Sequence, residues 1–210
     1  MKNHTKLTLE NLRPKEAHQL LVEGNQRFVN DLKAKRNHQE RVLSTSHGQF
    51  PFAIILSCID SRVPVELVFD QGIGDVFSVR VAGNVINKDI LASMEYACKV
   101  TGSKIVVVLG HTHCGAVTAA CKDVKMGHIT GLLQKIKPAI AISKKEDPNF
   151  TCDYKNPIDV DHVAIENIHI AIDRIRKEST ILAEMEEKGE IEIVGAIYSV
   201  QTGEVEFFPW

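Results

Sequence analysis

The spacing of apolar positions changes several times along this chain, and each change marks an element. After Pro14 the stretch KEAHQLLVEGNQRFVNDL places Leu20, Leu21, Phe28, Val29 and Leu32 at helical spacing, with proline where a first helical turn tolerates it. Short continuous apolar runs at Ala53–Ser57 (AIILS) and residues 104–109 (KIVVVL) read as buried strands, and residues 75–81 read as a third. Ile90, Leu91, Met94, Tyr96, Ala97 and Val100 predict a helix over 87–100, stopped by Thr101-Gly102. Another helix opens at Gly115, residues 131–142 read as helical with an interruption at Pro138, and 158–188 read as one long helix. The chain closes with IEIVGAIYSV, the turn signal Gln201-Thr202-Gly203-Glu204 and VEFF, a strand and a short hairpin.

Strands alternating with helices predict an α/β fold in which a mostly parallel central sheet is flanked by helices. One domain over residues 1–210 is expected, with an N-terminal helical arm at 1–48, a core at 49–210 and a C-terminal strand and hairpin. In such sheets ligands bind at the carboxyl ends of strands. Two motifs fall there: Ser57-Cys58-Ile59-Asp60-Ser61-Arg62 after the first apolar run, and Gly110-His111-Thr112-His113-Cys114-Gly115 after KIVVVL.

Charge narrows the partners. Twenty-five Lys+Arg against 27 Asp+Glu give a net charge of −2 with no long block of either sign, which favours neither nucleic acid nor an anionic membrane. No apolar run reaches the ~18 residues of a membrane span, and the N-terminal residues lack a secretory pattern, so a cytoplasmic location is expected. In a reducing cytosol the five cysteines read as ligands, nucleophiles or core thiols before disulfides.

If the two motif-bearing strands are neighbours, two thiols, one or two imidazoles, a carboxylate and a guanidinium meet in one crevice. Thiolate, imidazole and carboxylate together suit Zn²⁺. Cys58, His111 and Cys114 are the candidate ligands; His113, adjacent to Cys114, points elsewhere. A fourth position is left for water or for Asp60, and an open position marks a catalytic rather than a structural zinc. Cys98, Cys121 and Cys152 have no companion at metal-binding spacing and read as packed or partly exposed thiols. His4, His18, His38, His47, His128, His162 and His169 read as ordinary surface or core histidines.

Rival motifs fail on their own terms. Gly110 and Gly115 have phosphate-loop spacing, but Ala116-Val117 stands where Lys-Ser/Thr is required. Gly72-Ile73-Gly74 begins a dinucleotide fingerprint, yet Phe77 occupies the third glycine position, so the segment reads as a turn. No C-x-x-C pair supports a thioredoxin-like role.

At Cys58-Ile59-Asp60-Ser61-Arg62 and His111-Thr112-His113-Cys114 the sequence resembles the β-class carbonic anhydrases, with their Cys-x-Asp-Ser-Arg and later His-x-x-Cys. The similarity runs from Gly24-Asn25-Gln26-Arg27-Phe28 through FDQGIGDVFSVRVAGNVI and SMEYACKVTGSKIVVVLGHTHCGAV to VEFF. It implies one zinc held by Cys58, His111 and Cys114, and a dyad of Asp60 and Arg62 that orients a zinc-bound hydroxide towards CO2, giving bicarbonate and a proton. It further implies substrate contacts at Gln49, often made across a dimer interface, and at Gly115, and a homo-oligomer that is a dimer or a dimer of dimers. Related family chemistry includes hydrolysis of carbon disulfide or carbonyl sulfide; a non-catalytic zinc protein used in assembly is a reading from another class. Some members resemble this chain at Val63, Arg80 and Tyr198 and can close the site by placing the aspartate on zinc. They carry Trp where this chain has Ile55, so an open site with Asp60 off the metal is expected here.

Overall fold

In the computed structural model, which describes residues 4–208, the sequence folds as five strands among ten α-helices. Residues 1–3 and 209–210 of the expected domain lie outside the described residues. In chain order the elements are α1 (Lys6–Glu10), α2 (Pro14–Val29), α3 (His38–Thr45), β1 (Ala53–Ser57), α4 (Val65–Val68), β2 (Val76–Arg80), α5 (Lys88–Glu95), β3 (Ile105–His111), α6 (Gly115–Cys121), α7 (Gly127–Leu133), α8 (Lys137–Glu146), α9 (Pro157–Glu178), α10 (Thr180–Glu187), β4 (Glu192–Tyr198) and β5 (Val205–Phe207).

The sheet order is β2-β1-β3-β4-β5. The first four strands pair in parallel, and β5 returns antiparallel beside β4 through the predicted turn, with Gly203 at φ 81°. Side-chain alternation divides the core. Ile54, Leu56, Val106 and Val108 meet α5, α9 and α10 on one face, while Ala53, Ile55, Ile105, Val107 and Leu109 meet Leu21 of α2 and Val65 and Val68 of α4 on the other. Both faces are covered, which explains why β1 and β3 read as unbroken apolar runs. No helix among the described residues is long and apolar enough to cross a membrane.

Where the elements depart from the sequence reading, side chains supply the reason. The 158–188 helix is two helices: Ser179 takes an extended conformation (φ −116°, ψ 99°), accepts a hydrogen bond from the Leu182 amide and donates one to Glu95 Oε1 at 2.6 Å. It is an N-cap inside a periodic pattern that continues across it. Pro138 stands in the first turn of α8 and starts that helix, α7 having ended at Leu133. Residues 96–100 widen into a π-turn after α5, in which the Thr101 amide reaches the Tyr96 carbonyl. Helices α1 and α3 lie within the 1–48 stretch read as a helical arm, on either side of the one helix whose spacing is legible there; Thr5 and Asn37 cap them. Gly72-Ile73-Gly74 is a turn as read, with the Asp75 carboxylate accepting from the Gly72 amide at 2.8 Å.

Candidate metal centre

The site lies where β1, β2 and β3 end. Parallel register puts Ser57 opposite both Arg80 and Leu109, so the residues that follow, Cys58 after β1 and His111 at the end of β3, emerge side by side. Cys114 joins them from the N-cap of α6. One ligand atom from each of Cys58, His111 and Cys114 lies within 4.8 Å of the other two, and all three residues are buried. The donor convergence expected from the two motifs is therefore present, and His113 is outside it.

Each donor is aimed by backbone. The His111 Nδ1 faces the Thr112 carbonyl at 2.9 Å, which fixes Nδ1 as the protonated nitrogen and leaves Nε2 as a lone pair. That Nε2 is buried with no hydrogen-bond partner. An orphaned imidazole lone pair facing two thiols is costly in a core and is what a soft or borderline cation would satisfy. The donor set fits Zn²⁺.

Cys58 Sγ accepts from the Gly83 amide at 3.3 Å. Gly83 must be glycine for this approach: its φ is 66°, and a Cβ there would stand 2.7 Å from Ile136 Cδ1. Hydrogen bonding from the Cys114 thiol, joined by the Gly83 amide, brings the Cys58 thiol down to about 4 against burial. Cys114 is pushed the other way, first by sharing its proton with Cys58 and then by burial. The shared proton favours the thiolate at Cys58 over Cys114, and a divalent ion would draw off the second proton.

The carboxylate and guanidinium flank these donors. Arg62 grips Asp60 with two side-chain bonds, Nε to Oδ1 at 2.9 Å and Nη2 to Oδ2 at 2.7 Å, while its backbone amide adds a third at 3.0 Å. The Arg62 bonds hold the Asp60 carboxyl well below the usual carboxylate range. Asp60 Oδ2 is 3.9 Å from His111 Nε2, beside the donor triangle. Arg80 secures the turn beneath by donating to the carbonyls of Cys58 at 3.0 Å and Asp60 at 2.6 Å.

Opposite, the 111–114 turn is strained and pinned. His113 has φ 54°, a left-handed conformation costing a non-glycine residue about 1–2 kcal/mol. Its amide donates to Asp161 Oδ1 at 2.7 Å and its carbonyl accepts from Arg62 Nη2 at 3.3 Å. The Thr112 amide donates to the Tyr198 carbonyl at 2.9 Å. Gly110 lets α9 close on this strand end, since a Cβ there would lie 2.6 Å from Ile168 Cδ1.

The two remaining expected site residues part company. Gly115 begins α6 beside Cys114, with nothing within 4 Å of where its Cβ would be. Gln49 is exposed before the start of β1, lining a cavity with Lys6, Leu9, Phe50 and Val100, whereas the donors lie beyond that strand's other end. Sequence spacing also missed two groupings. The Cys121 thiol stands close enough to Cys152 to feel it despite their separation in the chain, and Glu146, His162 and Glu166 bring donor atoms within 4.8 Å of one another. The first could not be read from spacing; His162 and Glu166, four apart on α9, gave half of the second.

Comparison with known proteins places this geometry in a family. Residues 53–205 match the family model described as carbonic anhydrase. Carbonic anhydrase 2 of Mycobacterium tuberculosis is 33% identical over 206 residues, covering 93% of each chain. The carbonic anhydrase of Mycolicibacterium smegmatis is 33% identical over 204 residues, covering 94% of this chain and 95% of its own. Among solved structures, the β-carbonic anhydrase CcaA superposes with a TM-score of 0.73 at 26% identity, over 91% of this chain and 95% of its own. CafA of Aspergillus fumigatus gives 0.72 at 28% identity, over 81% of each. With the Cys-His-Cys donors at the strand ends and relatives matching nearly end to end, the chain belongs to the β-class carbonic anhydrases.

Proposed function

We propose that this protein is a zinc carbonic anhydrase that interconverts CO2 and bicarbonate, working as a homo-oligomer in the cytoplasm and built as one domain behind an N-terminal helical arm. The observation that carries the reading is the buried triangle of Cys58, His111 and Cys114 with the gripped Asp60 beside it. Zn²⁺ held by those three residues would supply a water acidified from 15.7 towards about 7, a nucleophile at neutral pH.

The chain's own residues do the rest. Asp60, ionised and locked by Arg62, has no proton to donate and so accepts a hydrogen bond from the attacking oxygen, turning that oxygen's free lone pair towards the CO2 carbon. Because Arg62 occupies both carboxylate oxygens, Asp60 is held off the donor triangle, which supports the open site expected from Ile55. The space at Gly115 leaves room for a small substrate beside Cys114.

Gln49 takes part in substrate binding only if a second copy delivers it, since its own β1 separates it from its own donors. The open edge at β2 supports such an assembly. There Phe77 and Val79 line a cavity with Tyr96, and Tyr96 and Val100 stand 55% and 66% exposed. Offering the zinc-loaded protein CO2, carbonyl sulfide and carbon disulfide in parallel tests the substrate: turnover of CO2 above the others is expected, and turnover of a sulfur compound alone would overturn it.

A further inference from the structure

Arg62 is half exposed, and among the described residues its guanidinium meets only Asp60 and the carbonyl of His113. A long side chain in solvent has rotamer freedom to lose, so that carbonyl is its one anchor apart from the carboxylate it must orient. The carbonyl is in place because His113 is left-handed, a conformation it would leave if released. What holds it is the ionic hydrogen bond from its amide to Asp161.

Asp161 reaches the turn from a rigid support. Its neighbours Val160, Val163 and Ala164 on α9 are buried in the same cluster as Cys58 and Cys114. We infer that Asp161 is a positioning residue for CO2 hydration, acting through the His113 peptide on Arg62 and through Arg62 on Asp60; this rests on the carbonic anhydrase reading of the site. The metal donors are secured separately, His111 by β3 and the Thr112 carbonyl, Cys58 by Gly83 and Arg80, and Cys114 by the start of α6, where its carbonyl accepts from the Thr118 amide at 2.9 Å. Loss of Asp161 therefore loosens the dyad and spares the metal.

The test uses zinc-loaded protein carrying Asp161→Ala or Asp161→Asn. Asp161→Ala is expected to keep one zinc per chain and to lower kcat for CO2 hydration about tenfold, with exchange of the His113 amide accelerated. Asp161→Asn keeps an acceptor oxygen and falls less. In an Arg62→Ala background Asp161→Ala should cost nothing more, because its only route to the reaction is gone. Equal losses in both backgrounds, loss of zinc, or an unchanged kcat in Asp161→Ala would each overturn the inference. A zinc-loaded wild type without CO2 hydration overturns the functional reading instead, and the His113 amide then still reports whether Asp161 holds the peptide.

Discussion

The protein has two pairs of neighbouring thiols at the two ends of one short helix, and they have opposite chemistry. Cys114 caps the start of α6 and faces Cys58; Cys121 ends α6 and faces Cys152 on the loop before α9. At the first pair a backbone amide and a shared proton converge on one sulfur and bring it down to about 4. At the second, burial, the Cys152 thiol and the nearby Asp159 carboxylate all push Cys121 up. A cysteine pair becomes a cation site through the donors and dipoles aimed at it, and proximity of two sulfurs is not enough.

The widest break in the comparison comes from deleting donors. Cys58→Ala or His111→Ala should remove zinc and CO2 hydration together, measured by metal content and stopped flow on one sample. Cys121→Ser or Cys152→Ser should leave both within about twofold, as for substitutions away from a site. Asp60→Asn comes next: zinc is retained and turnover falls by roughly 10–100-fold, the usual loss when a group beside a metal shell is changed.

Alkylation sharpens the contrast. With metal stripped and a small reagent at pH 6, Cys58 should be modified at least about tenfold faster than Cys121, because only Cys58 is then a thiolate. Cys98, buried and pushed up to about 12, should react only on unfolding, and mass spectrometry of digests reads all three. Equal rates at Cys58 and Cys121 would erase the distinction.

The smallest effect is on pH dependence. Since Arg62 lowers the Asp60 pKa, the ion pair stabilises the folded site above the ordinary carboxylate range and is lost as pH falls through the depressed value. Between pH 5 and 8 Asp60 should contribute no titration to activity, and Arg62→Ala should move its acid limb upward.

The site was legible in the sequence to the extent that chemistry and local spacing coincide. Cys58, Asp60 and Arg62 sit within one turn, His111 and Cys114 within another, and both follow strands that announce themselves by continuous apolar runs. What holds these residues was not legible. Gly83, Asp161 and Tyr198 contribute a backbone amide, a carboxylate and a carbonyl from three other segments, and nothing near them in the chain points to that use. The break at Ser179 hid inside an uninterrupted helical period for the same reason: its cap bond is local, but the Glu95 contact that accompanies it is not.

The central claim is that zinc on Cys58, His111 and Cys114 makes this chain a CO2 hydratase. Stopped-flow CO2 hydration measured on apo protein reloaded with stepwise zinc, with metal counted in each sample, tests it most directly. The account predicts a rate that rises in proportion to bound zinc and levels at one ion per chain. Hydration by the zinc-free protein, or a fully loaded protein no faster than buffer, would contradict it.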